Sequence, residues 1–314
     1  MARAFIFPGQ GSQSVGMGKA LAETYAEARA VFAEVDDALG QKLSALMFEG
    51  PEADLTLTAN AQPALMAVSL AVTRVLEAHA GLDIANQAKF IAGHSLGEYS
   101  ALAAAGTFSL ADTARLLRLR GEAMQKAVPV GEGAMAALLG ADYATGLAIA
   151  EEAAQGQVCQ IANDNGGGQV VASGHKAAVE RAMDIAKAKG IKRAILLPVS
   201  APFHCALMQP AADAMAQALA KVQMRAPCVP VVANVLASPL SDPEAIRARL
   251  VEQVTGTVRW AESIAYMARE GVDSFYELGS GKVLSGLVKR IADTATGTAI
   301  NTPADIEAFA ALPK

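Results

Sequence analysis

Residues 93–97 read Gly-His-Ser-Leu-Gly, directly after the apolar run Phe90-Ile91-Ala92 and directly before a helix-forming stretch from Glu98 to Ala105. Strand, Gly-x-Ser-x-Gly, helix is the order of a nucleophile elbow, which lifts one serine above the end of a sheet on a strained turn. So sharp a turn leaves no room for Cβ atoms at positions 93 and 97, and it points the backbone N–H of Leu96 at the space above the serine. Ser95 is therefore the candidate nucleophile. A chance match in a chain with 27 glycines is the competing explanation, and the flanking strand and helix favour the elbow.

An elbow needs a sheet beneath it. Strand candidates at 4–7 and 90–92 alternate with long helical patterns such as 61–80, which predicts an α/β core with a mostly parallel sheet. Another rhythm runs from about 131 to 198. There 134–139 reads as a strand, 143–154 as a helix, 158–162 and 169–172 as strands joined through Asn-Asp-Asn-Gly-Gly-Gly, 176–189 as a helix and 194–199 as a strand. That is β-α-β-β-α-β, the ferredoxin-like unit. Strand and helix patterns resume after Pro198, so the small unit, 130–198, is expected as an insertion in a larger domain made of 1–129 and 199–314. Its two crossings form a hinge and a cleft wall.

Composition excludes several classes. At 314 residues the chain is long enough for about two domains and a substantial core. Hydrophobic residues make up 53%, but Ser, Pro, His or Gly interrupts every apolar stretch well short of a membrane span. The start, Met-Ala-Arg-Ala-Phe-Ile-Phe-Pro-Gly, has too short an apolar run for a signal peptide, so no export is expected. Cys159, Cys205 and Cys228 are odd in number and widely spaced, which suggests neither disulfides nor a zinc site and fits a reducing cytoplasm. With a net charge of -5 and scattered basic residues, general nucleic-acid binding is not expected.

A serine nucleophile needs a base, and the chain has His79, His94, His175 and His204. His79 ends a helical pattern, His175 follows a Ser-Gly turn, and His94 lies inside the elbow and points away from its neighbour. His204 is left, in Val-Ser-Ala-Pro-Phe-His-Cys, a loop between strand and helix where active-site groups of open α/β sheets collect. On helix 111–127, Arg120 has Leu116, Leu117, Ala123 and Met124 at i±3 and i±4, so its guanidinium is carried towards the core and needs an anion. Either an internal Asp or Glu supplies that anion, or a carboxylate or phosphate of the substrate does. Near the start, Pro8-Gly9-Gln10-Gly11-Ser12-Gln13 follows a strand. It fails as a dinucleotide fingerprint because Ser14 stands at the third glycine, but such a loop aims backbone N–H groups at an oxyanion. Gly279-Ser280-Gly281-Lys282 lacks phosphate-loop spacing and reads as a turn.

Phe-Pro-Gly-Gln-Gly-Ser-Gln at 7–13, Gly-His-Ser-Leu-Gly-Glu-Tyr at 93–99, Arg120, Pro-Phe-His at 202–204, Asn-Ala-Gln-Pro-Ala at 60–64 and the stretch 277–287 together resemble the malonyl-CoA:acyl carrier protein transacylases of fatty-acid and polyketide synthesis. The resemblance implies a hydrolase-like core with a ferredoxin-like subdomain and a ping-pong transfer. In it, Ser95 and His204 take malonyl from malonyl-CoA and pass it to the phosphopantetheine thiol of acyl carrier protein, with no permanently bound cofactor and no metal. It further implies that Arg120 binds the malonyl carboxylate and that the N–H groups of Gln10 and Leu96 form the oxyanion hole. By the same likeness the Gln253 carbonyl orients the histidine, and Phe203 and Gln62 line the acyl pocket. The chain departs from the family at Thr257, where relatives often have proline, and at Ser280; either change removes a fixed φ.

Two rivals stand beside this reading. An α/β-hydrolase esterase would need an acid between serine and histidine in the chain, nominally Asp112, Asp142, Asp164 or Asp184. A non-enzymatic carrier-protein docking subunit would carry the elbow as a vestige. For docking an acidic carrier protein, charge complementarity nominates Lys192, Arg193, Lys282 and Lys289.

Overall fold

The computed structural model describes residues 2–312. Its strands, in chain order, are β1 (Ala2–Phe7), β2 (Ala88–Gly93), β3 (Gly133–Leu139), β4 (Cys159–Asp164), β5 (Gln169–His175), β6 (Arg193–Leu196), β7 (Val231–Ala233), β8 (Ser238–Leu240), β9 (Val258–Arg259), β10 (Val272–Leu278) and β11 (Thr296–Ile300). They form two sheets with helices packed around them, an α/β architecture.

The larger sheet has the order β11-β10-β1-β2-β7-β8, parallel throughout except for the β7–β8 pair. On β1, Phe5 and Phe7 enter one apolar cluster while Ala4 and Ile6 enter another on the opposite face. Both faces are covered by helices, which is why this strand reads as a continuous apolar run and not as an alternation. The second sheet has the order β6-β3-β5-β4-β9. Strands β3 to β6 are antiparallel neighbours linked by helices Tyr143–Ala154 and Lys176–Ala188, the β-α-β-β-α-β connectivity expected from sequence.

Two details differ from the sequence reading. The strand expected at 194–199 stops at Leu196, because Pro198 has no N–H to give a ladder and the chain leaves the sheet to line the cleft. A fifth strand, β9, joins the small sheet beside β4 with Asn163 opposite Val258. It comes from the later part of the chain and is two residues long, too short for any periodicity to announce it. Thr257, just before it, donates its hydroxyl to the Ile161 carbonyl at 2.6 Å, and Ser280 donates to the Ser12 carbonyl at 2.7 Å. At both departures from the family pattern, a side-chain hydrogen bond therefore pins the loop.

Two close approaches place the site. The chain leaves β2 at Gly93 and enters helix Gly97–Ala104 within one turn; a Cβ on Gly93 would lie 1.9 Å from the Gly97 oxygen, and one on Gly97 2.2 Å from the Phe7 oxygen. Further along, Gly121 lets helix Leu110–Ala127 pass against the start of helix Thr58–His79, where a Cβ would stand 2.6 Å from the Thr58 oxygen. That crossing sets Arg120 beside Gln62. Among the described residues no helix is long and apolar enough to cross a membrane.

Replacing Gly97 with alanine therefore forces backbone against backbone, where no flexible side chain gives way. Gly97→Ala is expected to lose about 3 kcal/mol or more of unfolding free energy in urea titration, at the upper end of overpacking costs. An alanine at the exposed Gly40, where nothing lies within 4 Å of the Cβ but φ is +59°, should cost less, about 1–2 kcal/mol.

Candidate active site

Ser95 has φ of 54° and His204 φ of 56°, both in the left-handed region that non-glycine residues rarely adopt. The strain at Ser95 is held by its surroundings. Its N–H donates to Asn234 Oδ1 at 2.8 Å, and Asn234 Nδ2 donates to the Gly93 carbonyl at 2.7 Å, so one buried side chain clamps both ends of the turn.

Ser95 Oγ lies 2.7 Å from His204 Nε2, and His204 Nδ1 lies 2.8 Å from the Gln253 carbonyl oxygen. A carbonyl only accepts, so Nδ1 carries the proton and Nε2 presents its lone pair to the serine hydroxyl. Burial, and then the nearby Arg120 cation, push the His204 imidazolium pKa down to about 3. The imidazole is therefore neutral at neutral pH. None of the four aspartates an esterase would need takes part in this arrangement: Asp142 caps its helix through the Thr145 N–H, Asp164 binds the Gly166 N–H, Asp112 sits in the exposed first turn of helix Leu110–Ala127, and Asp184 is exposed.

Arg120 is 1% exposed. Its Nη1 donates to Gln62 Oε1 at 2.7 Å, and its Nη2 to Gln253 Oε1 at 2.8 Å and to Ser95 Oγ at 3.2 Å; its guanidinium also lies over the Tyr99 ring at 5.7 Å. No carboxylate pairs with it among the described residues, and its Nε has no partner there. Of the two sources of anion left open by the sequence, the internal one is therefore absent at ion-pair distance. The nearest acid is Glu98, reached only through the Gln253 amide, whose Nε2 donates to Glu98 Oε2 at 2.8 Å.

Gln62 lines the same cavity as Phe203, but both ends of its amide are already committed. Oε1 accepts from Arg120, and Nε2 donates at 2.9 Å to Thr58 Oγ1, which in turn donates at 2.9 Å to Gln10 Oε1. A continuous relay thus joins the buried cation to the glycine loop at 9–13. Among the described residues the backbone N–H groups of Gln10 and Leu96 have no protein acceptor, whereas that of Ser95 is taken by Asn234. The cavity measures about 490 Å³ and is walled by Gln10, Leu96 and Arg120 from the larger sheet's side and by Met135, Asn165 and Val171 from the smaller sheet's side. The sequence reading passed over Asn234, Glu98 and the side chain of Gln253. Glu98 had a signal, the lone charged residue in helix Gly97–Ala104; Asn234 had none.

The other histidines stand apart from the serine hydroxyl. His94 Nε2 meets Asn165 Oδ1 at 2.9 Å across the cleft, His79 pairs with Glu27 at the surface, and His175 accepts the Val158 N–H. No group of three or more His, Cys, Asp or Glu side chains among the described residues could hold a metal ion.

Comparison with known proteins gives the class first. The acyl transferase domain family matches residues 4–299, and the chain belongs to it and is an enzyme of that class. Within that family it belongs with the malonyl CoA-acyl carrier protein transacylases. It is 51% identical to the protein so named from Escherichia coli K12 over 97% of both chains, and 47% identical to that of Bacillus subtilis over 97% of this chain and 95% of the relative. An acyl-carrier-protein-S-malonyltransferase from Bartonella henselae superposes with a TM-score of 0.96 at 61% identity, covering 98% of each chain. A malonyl-transacylase solved in complex with its type II PKS acyl-carrier protein superposes at 0.95 with 45% identity, covering 98% of this chain and 99% of that one.

Burial raises the Glu98 carboxyl to about 7, against the hydrogen bonds from Gln253 and Asn234 and the Arg120 charge that pull it down. As pH climbs from 4.5 towards 7, the unfolded chain gives up a proton that the folded one keeps, so Glu98 withdraws stability over that interval. Glu98→Gln keeps an acceptor oxygen and has nothing to ionise. The melting temperature of the variant relative to wild type should therefore rise between about pH 5 and about pH 7.5; a difference independent of pH would mean that Glu98 stays ionised throughout.

Proposed function

We propose that this enzyme moves the malonyl group from malonyl-CoA to the phosphopantetheine thiol of acyl carrier protein by a ping-pong route through a malonyl ester on Ser95, supplying extender units for fatty-acid synthesis. One observation carries the reading: a serine in hydrogen-bond contact with a neutral, carbonyl-oriented histidine shares its Oγ with a buried guanidinium that has no carboxylate paired to it among the described residues. An esterase gains nothing from that cation, and a docking subunit has no use for the strained serine. A substrate with its own carboxylate uses both.

In the first half-reaction Ser95 Oγ attacks the thioester carbonyl as His204 Nε2 takes its proton. The oxyanion that forms is received by the N–H groups of Gln10 and Leu96, and the departing CoA sulfur takes the proton from His204 and leaves as the thiol, which returns the imidazole to its neutral form. In the second half-reaction the carrier thiol gives its proton to His204 and attacks the ester; Ser95 departs and recovers the proton. Arg120 takes the malonyl carboxylate throughout, and the Gln253 carbonyl holds the imidazole tautomer. Phe203 and Gln62 bound the acyl group, Gln62 chiefly by fixing Arg120. The chemistry needs no resident cofactor or metal.

We read the chain as a hydrolase-like core, 1–129 with 199–314, carrying a ferredoxin-like subdomain at 130–198, and as a cytoplasmic protein; residues 1, 313 and 314 lie outside the described residues. The strand order β6-β3-β5-β4 supports the smaller unit. Acyl carrier protein as partner is supported by the relative solved with one, and Lys192, Arg193, Lys282 and Lys289 are all exposed and available to an acidic partner.

Intact-mass analysis after mixing with malonyl-CoA should show a malonyl adduct on wild type and none on folded Ser95→Ala; an adduct on the variant would exclude Ser95 as nucleophile. Arg120→Ala should lower kcat/KM for malonyl-CoA by about two orders of magnitude or more while acetyl-CoA use stays level or improves, because only malonyl loses a charge partner. Equal losses with both would make Arg120 a structural residue.

A further inference from the structure

The guanidinium that receives a carboxylate also touches the nucleophile. Arg120 Nη2 donates to Ser95 Oγ at 3.2 Å, and the same oxygen stands 2.7 Å from His204 Nε2. A serine oxygen that accepts a hydrogen bond from a cation has a lone pair engaged and is a weaker nucleophile. A base one hydrogen bond from a cation is less ready to take a proton, since doing so places two positive charges side by side. Arg120, so placed, therefore works against both partners of the acylation step.

Substrate geometry reverses this. In a malonyl thioester the carboxylate carbon is two bonds from the carbonyl carbon that Ser95 must attack, so the carboxylate meets Arg120 from the Ser95 side. Of the five guanidinium donors, three are in use: two are held by Gln62 and Gln253, and the third, to Ser95, is the longest. Donors to the two buried amides cannot be withdrawn without orphaning those oxygens, whereas the serine hydroxyl keeps His204 as a partner. We propose that Arg120 restrains Ser95 in the empty enzyme and that a carboxylate bound to Arg120 releases it, so that selectivity for a carboxylated acyl group is exerted on nucleophile activation as well as on binding. Neutralising Arg120 also removes the second-largest influence that depresses His204, after burial. The groups facing His204 in this respect are Arg120, His94 and the backbones of Gln253 and Gly256, and only Arg120 changes its charge environment.

The inference rests on Ser95 and His204 being nucleophile and base, and a probe that is not a CoA thioester separates the two claims. Methanesulfonyl fluoride is small and neutral: Ser95 Oγ forms the bond to sulfur, fluoride leaves, and the hydroxyl proton passes through His204 to solvent. Formate supplies a carboxylate with no acyl chain to block the serine. Sulfonylation of Ser95 in the wild-type enzyme, followed by intact mass, should accelerate saturably with sodium formate by roughly ten- to a hundredfold, the range of one charge-assisted hydrogen bond, and not with sodium chloride at equal ionic strength. Arg120→Met should label faster than wild type without formate and show no response to it.

Labelling that formate slows or leaves unchanged in the wild type overturns the restraint, and needs no variant to do so. A folded Arg120→Met that labels no faster than wild type overturns it as well. If methanesulfonyl fluoride fails to label Ser95 under every condition, the nucleophile assignment itself falls, and the restraint with it.

Discussion

A cation buried to 1% exposure with no carboxylate paired to it among the described residues is the constraint around which the site is arranged. Desolvating a guanidinium is costly unless its donors are met, so side-chain amides and a hydroxyl surround it in place of an ion partner. Each acceptor that meets Arg120 does a second task. Gln62 passes the hydrogen bonding on through Thr58 to the glycine loop, and Gln253 holds the elbow through the Ser95 carbonyl while its own carbonyl orients His204. Ser95, His204 and the loop bearing Gln10 are thus positioned by the same network that solvates the cation.

That network explains why the site tolerates strain. Two residues in the left-handed region, Ser95 and His204, face each other, and such conformations persist only where neighbours over-determine them. Asn234 clamps the serine turn from the end of β7, while the backbone of Phe7 receives the His94 N–H from β1. The central strands of the larger sheet, covered on both faces, provide rigid anchors, and the smaller sheet closes the cleft from above through β9 and the Thr257 hydroxyl.

The buried Glu98 has a different standing. It balances Arg120 at one remove, through an amide, and burial holds its carboxyl near neutrality. A direct pair would give the cation an ion partner of its own. An acid separated from it by the Gln253 amide leaves the guanidinium with neutral acceptors only.

The local features of this enzyme were legible in its sequence because they depend on residues close together in the chain. Gly93, Gly97 and the apolar runs beside them specify the strand, turn and helix of the elbow, and the spacing of apolar residues around Arg120 specifies that its side chain faces inward. The alternation from 134 to 196 specifies the small unit's strands and helices, since period-2 and period-3.6 patterns need only a few turns or pleats to appear. What only the tertiary structure decided involves partners far apart in sequence. Asn234 meets Ser95 over 139 residues and the Gln253 amide meets Arg120 over 133, with no local pattern to mark either. Likewise β9, two residues long, is a strand only because β4 lies beside it. Whether Arg120 had an internal anion was undecidable from spacing, because helical periodicity gives the direction of a side chain and never what waits at its end; packing set amides there and left the charge without an ion partner.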